Sequence, residues 1–240
     1  MINLRSLLSG VLTESARKRI QQALLGYHSY APSFSSAGED MILRHILGSD
    51  KQEGFYVDIG AFHPVRFSNT YFFYLYGWRG INIEARPGSA EIFNKVRPKD
   101  INLEIGISRE RGELTYYVIE EPTMNSFSRD FLEHIGMIDA IKCEAKVPVF
   151  PLSEVLDRYL PEGKAIDFMS VDVEGHDLWV LESNDWDRFR PKIVVVEDEQ
   201  LCPQNSHIVR FMKQQGYALC AQNVIILNKI NEYFLIDETL

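Results

Sequence analysis

Two apolar runs in this chain end in acids. Residues 54–64 read GFYVDIGAFHP, and the run stops at Asp58-Ile59-Gly60. Residues 80–87 read GINIEARP, and that run stops at Glu84. A strand buried on both faces does not tolerate an unpaired charge, because taking an ion out of water is costly. Both acids are therefore expected at strand ends, where a carboxylate can accept hydrogen bonds from a ligand. At the end of a second strand it can accept both hydroxyls of a ribose. The step from Gly60 to Glu84 is close to the ~20 residues that separate glycine loop and acid in a dinucleotide fold. Gly60 carries no Cβ and lets backbone come near the ligand. However, the run Gly60-Ala61-Phe62-His63-Pro64-Val65 lacks the second and third glycines of GxGxxG. A pyrophosphate would find little bare backbone there. S-adenosylmethionine (SAM) has no phosphate and needs no such cradle.

The segment DVEGHD, residues 172–177, is the richest chemical cluster. Asp172 and Glu174 follow the apolar run FMSV. Gly175 permits a turn, and His176 and Asp177 begin a helix, where an acid also serves as a cap. A hydroxyl nucleophile must lose its proton, and histidine is the usual base because its pKa lies near neutrality. His63 and His176 are the candidates. Each also reads as an ordinary surface or capping histidine. Glu197, Asp198 and Glu199 end a further apolar run, PKIVVVEDE. With Asp172 and Glu174 they could form an oxygen-rich site for Mg²⁺. Solvated strand-end acids are the plainer reading, so metal dependence stays open.

These residues need a scaffold. The expected strands are GFYVDIG, GINIEA, INLEIGIS, GELTYYVIE, a short one in KVPVF, AIDFMSVDV and PKIVVVEDE. Helical spacing separates most of them. Ser36 and Glu39 read as a capping box, and Ser153 as the cap of a later helix. YALCAQ and VIILNK read as a hairpin around Gln222-Asn223. Alternating strands and helices predict an α/β fold with a doubly wound, mostly parallel sheet. Closing that sheet with an antiparallel hairpin is the pattern of a class I methyltransferase, Rossmann-like sheet. Leucines and isoleucines at helical spacing over residues 3–26 predict N-terminal helices, an arm over 1–36 that could join subunits. The methyltransferase domain is then 37–240, with an insert at about 120–145 that carries Asn125, Ser126 and Ser128 as polar contacts for an acceptor.

Composition narrows the partners. The net charge is −9 and the pI about 5.2. No run of Lys or Arg makes the basic face that nucleic acid requires. No stretch reaches the ~20 apolar residues of a membrane span. Cys143, Cys202 and Cys220 are three in number and widely spaced, with no CxxC pair. They read as reduced thiols, which suits a cytoplasmic protein.

The stretches FYVDIGA, GINIEARP, INLEIGIS with GELTYY, MNSFS, FMSVDVEGHDLWVL and KIVVVE together resemble an FkbM-type SAM-dependent methyltransferase over roughly residues 38–227. Pro64 departs from the pattern, standing where many of that family have a second glycine. The resemblance implies a Rossmann-like enzyme acting on an oxygen of a sugar, glycan or small natural product. It also implies roles. Asp58, Gly60 and Ala61 would line the methionine part of SAM. Glu84 would bind the ribose with Ala85 beside it, and Gly106 and Ile107 would border the adenine. Asp172 would face the cofactor near the reacting methyl. N-methylation of a sugar-linked nitrogen and a non-catalytic SAM-binding protein are the alternatives.

Overall fold

A computed structural model describes residues 32–48, 53–225 and 230–239. The expected arm over 1–36 lies outside these residues for its first 31 positions. The remainder builds two sheets. The larger has seven strands: β1 (Phe55–Ile59), β2 (Arg79–Ile83), β3 (Ile101–Leu103), β7 (Phe168–Val171), β8 (Ile193–Glu197), β9 (Tyr217–Ile225) and β10 (Ile230–Asp237). Their order is β3-β2-β1-β7-β8-β10-β9. β1, β2, β3, β7 and β8 run parallel, and β10 is antiparallel to both β8 and β9. This is the doubly wound sheet with a terminal antiparallel hairpin that the strand and helix pattern predicts.

The smaller sheet has the order β4-β6-β5, from β4 (Gly106–Ile107), β5 (Gly112–Ile119) and β6 (Ile141–Phe150). INLEIGIS is thus two strands in two sheets rather than one. The insert contains α4 (Arg129–His134) and then the first half of β6.

Each face of the large sheet is apolar at alternate positions, as the two-residue period of a strand demands. Val57, Ile59, Ile81, Ile83, Met169, Val171, Val194 and Val196 point to one face. There they meet α5 (Leu152–Tyr159), α6 (Asp177–Glu182) and α7 (His207–Gln214) through Leu156, Leu181 and Met212. Tyr56, Phe168, Val195 and Phe234 point to the other face. They pack on α1 (Glu39–Leu47) and α2 (Tyr71–Leu75) through Leu43, Phe72 and Phe73. Between β2 and β3 runs α3 (Ser89–Val96), which buries Phe93.

Three local expectations are corrected. The hairpin does not turn at Gln222-Asn223, because β9 continues to Ile225 and its partner is INEYFLID rather than VIILNK. Those two polar residues make tertiary hydrogen bonds instead. Gln222 donates to the Leu201 carbonyl, and Asn223 donates to Glu39 Oε1 at 2.6 Å. The capping box does not form: Gly38, at φ +94°, is the N-cap of α1 with no side-chain cap bond, and Glu39 is the first helical residue. Ser35 Oγ accepts from the N–H groups of Gly38 and Asp40, while Glu39 reaches Ala37 N–H. Finally, α5 starts at Leu152 behind Pro151, so Ser153 lies inside the helix. Proline supplies a favourable φ at a helix start without needing a donor.

Among the described residues, no helix is long and apolar enough to cross a membrane.

Candidate active site

Parallel register lines up the C-terminal strand ends. Ile59 is level with Ile83 on one side and Val171 on the other, and Val171 is level with Val196. The next residues therefore form a row across the sheet edge: Glu84, Gly60, Asp172, Glu197. Glu232 of antiparallel β10 pairs directly with Glu197 and extends it. Strand order reverses on either side of β1, which is the switch point where an open α/β sheet binds ligands.

A cavity of about 230 Å³ opens over this row. Gly60, Glu84, Asp172, Glu197 and Glu232 line its floor, and Tyr116, Asn125 and Phe127 come from the second sheet and insert. Gly60 is indispensable to the geometry. A Cβ there would sit 1.7 Å from the Asp172 carbonyl oxygen, and its φ is +78°. Only glycine lets β1 and β7 close at this point.

Glu84 is buried and held from two sides. Its Oε2 accepts the Phe62 N–H at 2.7 Å, and its Oε1 accepts the Arg86 N–H at 2.8 Å. Burial raises its pKa, and these two main-chain bonds pull it partly back. Phe62, Phe67 and Glu174 are the described non-glycine residues with positive φ, at 49°, 55° and 53°. All three line the cavity. Strain of this kind costs roughly 1–3 kcal/mol per residue and persists only where surrounding contacts enforce it. The Glu84 bond enforces it at Phe62. Ser126 does so at Glu174, whose carbonyl accepts the serine hydroxyl at 2.6 Å.

Of the residues expected at the site, Gly60, Glu84, Ala85, Gly106, Ile107, Asp172 and His176 come together around the cavity. Asp58, Ala61 and His63 are not among its lining residues. Asp58 sits one row below, level with Asn82 and Ser170. Its carboxylate accepts the Thr70 hydroxyl at 2.6 Å. Burial raises its pKa to about 6 against the pull of Thr70 and Arg97. Arg97 is itself fully buried, donating to Pro64 O, Ser68, Thr70 and Asn82 at 2.8–2.9 Å. Asp58 thus belongs to a buried polar layer that supports the floor. His63 is occupied locally, its Nδ1 accepting the N–H groups of Val65 and Arg66. Burial, followed by Arg86 and Arg66, lowers its pKa.

His176 borders the cavity and stacks on Trp179 at 4.2 Å between ring centroids. Burial, then the nearby Arg109, brings its pKa down to about 4, so it is neutral at pH 7. Asp177 accepts the Val173 and Gly175 N–H groups and fixes the DVEG turn. Asn125 accepts the Ile119 N–H through its Oδ1. Ser128 caps α4.

A family model described as the methyltransferase FkbM domain matches residues 58–219. The chain belongs to the FkbM methyltransferase family. The matched stretch holds Asp58, Gly60, Glu84, Asp172 and Glu197 of the FkbM domain, while Glu232 lies beyond it. Among solved structures, the chain is similar to an O-methyltransferase from Bacillus cereus in complex with SAH. Identity there is 12%, with 95% of this chain and 93% of that one covered and a TM-score of 0.42. It is similar also to cofactor-bound Rv0187 from MTB, at 16% identity, 98% and 94% coverage and a TM-score of 0.40. No curated protein matches.

Tyr116 and Glu232 are lining residues that sequence reasoning missed. Tyr116 stands in a separate sheet, with its hydroxyl 3.5 Å from Glu84 Oε1. Glu232 carries no local motif, and only its cross-strand pairing with Glu197 places it.

Proposed function

We propose that this FkbM-family chain transfers the methyl group of SAM to a hydroxyl of a sugar, glycan or small natural product. The observation that carries the reading is Glu84. It is a buried carboxylate at the end of β2, with each oxygen oriented by one main-chain N–H and facing the cavity. A carboxylate oxygen has a second lone-pair direction; that of Oε2 is open to one ribose hydroxyl, and that of Oε1 takes the other in place of the long 3.5 Å bond it accepts from Tyr116. The loop after β1 has the single glycine needed for close approach and lacks a phosphate cradle, which suits SAM better than a dinucleotide.

In this reading Gly60 borders the methionine part, and Ala61 and Asp58 support it from the loop and from the row below. Ala85 lies beside the ribose, and Gly106 and Ile107 border the adenine. Asp172 and His176 stand at the reacting end. The acceptor oxygen attacks the methyl carbon, the carbon–sulfur bond breaks, and S-adenosylhomocysteine departs. The acceptor proton passes to a base. His176 is the neutral imidazole at the cavity. Positioning of the two reactants then supplies much of the rate, with proton removal supplying roughly 10²–10⁴-fold.

Calorimetry tests the cofactor. S-adenosylhomocysteine should bind and NAD should not, and the reverse would refute the reading. Transfer of labelled methyl from SAM should then appear with hydroxylated sugars, nucleotide sugars or glycans. Transfer that occurs only to amino sugars would refute the oxygen acceptor.

A further inference from the structure

Beside the SAM-facing half of the cavity lies a denser group of acids than methyl transfer alone requires. Carboxylate oxygens of Asp172, Glu174 and Glu197 lie within 4.8 Å of one another. A cluster of acids is common on protein surfaces, but two oxygens here set this one apart. Asp172 Oδ1 and Glu232 Oε2 are fully shielded from solvent and have no hydrogen-bond partner among the described residues. Glu232 is only 6% exposed, lines the same cavity and stands directly across from Glu197. Like charges directly opposite on neighbouring strands repel. A buried acceptor without a donor loses its hydration and gets nothing back.

We infer that Asp172, Glu174 and Glu197 bind one divalent cation, Mg²⁺ or Mn²⁺, with Glu232 facing the same ion from β10. Oxygen-only ligand sets of this kind select hard cations. Metal–oxygen distances of about 2.0–2.6 Å allow oxygens up to about 5 Å apart to share one ion. The positive φ of Glu174 turns its carboxylate back to the row, and Ser126 holds that turn.

The role of such an ion rests on the proposed methyl transfer: it lies at the reacting end, where it would acidify an acceptor hydroxyl. Its binding does not rest on that reading and is measured without SAM or acceptor. The EDTA-treated full-length chain is titrated with Mn²⁺ followed by electron paramagnetic resonance, and with Mg²⁺ followed by calorimetry. One saturable site per chain is expected. Glu197→Gln and Glu174→Gln, which keep the side-chain size, should each weaken it by at least about tenfold. The exposed-site control Glu113→Gln should leave it unchanged. Circular dichroism checks folding of each variant, and either of the two substitutions suffices if the other unfolds. Absence of saturable binding in the native chain would overturn the inference, as would native affinity in both variants. So would a third pattern, in which no metal binds and Glu197→Gln instead weakens S-adenosylhomocysteine, since the cluster would then serve the cofactor ammonium. Metal binding without S-adenosylhomocysteine binding would leave this inference standing and remove the methyltransferase reading.

Discussion

Replacing Glu84 with alanine separates its proposed role as a ribose ligand from its role as a brace. In the free protein the change removes the acceptor of the Phe62 and Arg86 N–H groups. Bonds to a charged partner contribute roughly 1.5–3 kcal/mol each. The loss is offset in three ways. The buried carboxylate was itself destabilised by burial. Phe62 is released from its positive φ, relieving roughly 1–3 kcal/mol. Water can also enter the vacated space. A net loss of about 1–3 kcal/mol is expected, within what a domain of this size survives. In the complex, two ribose hydroxyls lose a charged acceptor, roughly 3–6 kcal/mol in total. At about 1.4 kcal/mol per factor of ten, S-adenosylhomocysteine should bind at least about 100-fold more weakly. Glu84→Gln keeps one acceptor oxygen and should fall between the two. The assay is calorimetry with S-adenosylhomocysteine, alongside urea denaturation of the same samples. If folded Glu84→Ala binds within threefold of the native chain, Glu84 does not hold the ribose. If Glu84→Ala does not fold, native affinity in Glu84→Gln leads to the same conclusion.

Three further outcomes follow from the geometry. Gly60→Ala should fold less stably and lose S-adenosylhomocysteine affinity by more than about tenfold, because its Cβ would meet the Asp172 carbonyl at 1.7 Å and its φ of +78° disfavours any L side chain. Thermal melts and calorimetry read both, and native affinity would show that the β1–β7 closure is irrelevant to the site. Asp58 binds its proton more tightly folded than unfolded, since burial raises its pKa from 3.8 to about 6. The stability it contributes is therefore full below pH 3.8 and lost as pH rises to 6. The span corresponds to about 3 kcal/mol. The stability difference between the native chain and Asp58→Asn should shift by up to that amount between pH 4 and pH 7, in favour of the variant at pH 7, and a flat difference would refute the assignment. His176→Ala should lower kcat by roughly 10²–10⁴-fold with S-adenosylhomocysteine affinity nearly intact, whereas His63→Ala should reduce stability and leave kcat within a few-fold. The opposite ranking in single-turnover assays would move the base to His63.

Much of this protein is decided locally and is therefore legible in the chain itself. Strands are marked by alternating or continuous apolar runs, and acids that end such runs must emerge at an edge, because burial of an unpaired charge is unfavourable. That reasoning placed Glu84 and Asp172 at strand ends, and the missing glycines after Gly60 separated SAM from a dinucleotide. Local signals misled where a polar residue had a distant partner. Gln222 and Asn223 look like a turn until Leu201 and Glu39 supply their hydrogen bonds, and Ser36 looks like a cap although Gly38 takes that position.

Register is what only the tertiary structure decided. A strand's side chains alternate between faces, so a shift of one residue would send Asp172 or Glu197 to the other side of the sheet. Asp58 in β1 and Gly60 just beyond its end are only two residues apart, yet one lies in the polar layer beneath the floor and the other at the floor itself. Glu232 reaches the cavity only because β10 inserts antiparallel between β8 and β9 in the register that sets Glu232 opposite Glu197. The identities of the acids are written in the chain. Their assembly into one row depends on hydrogen bonds between strands, of which β1 and β7 lie more than a hundred residues apart, and no local spacing encodes that pairing.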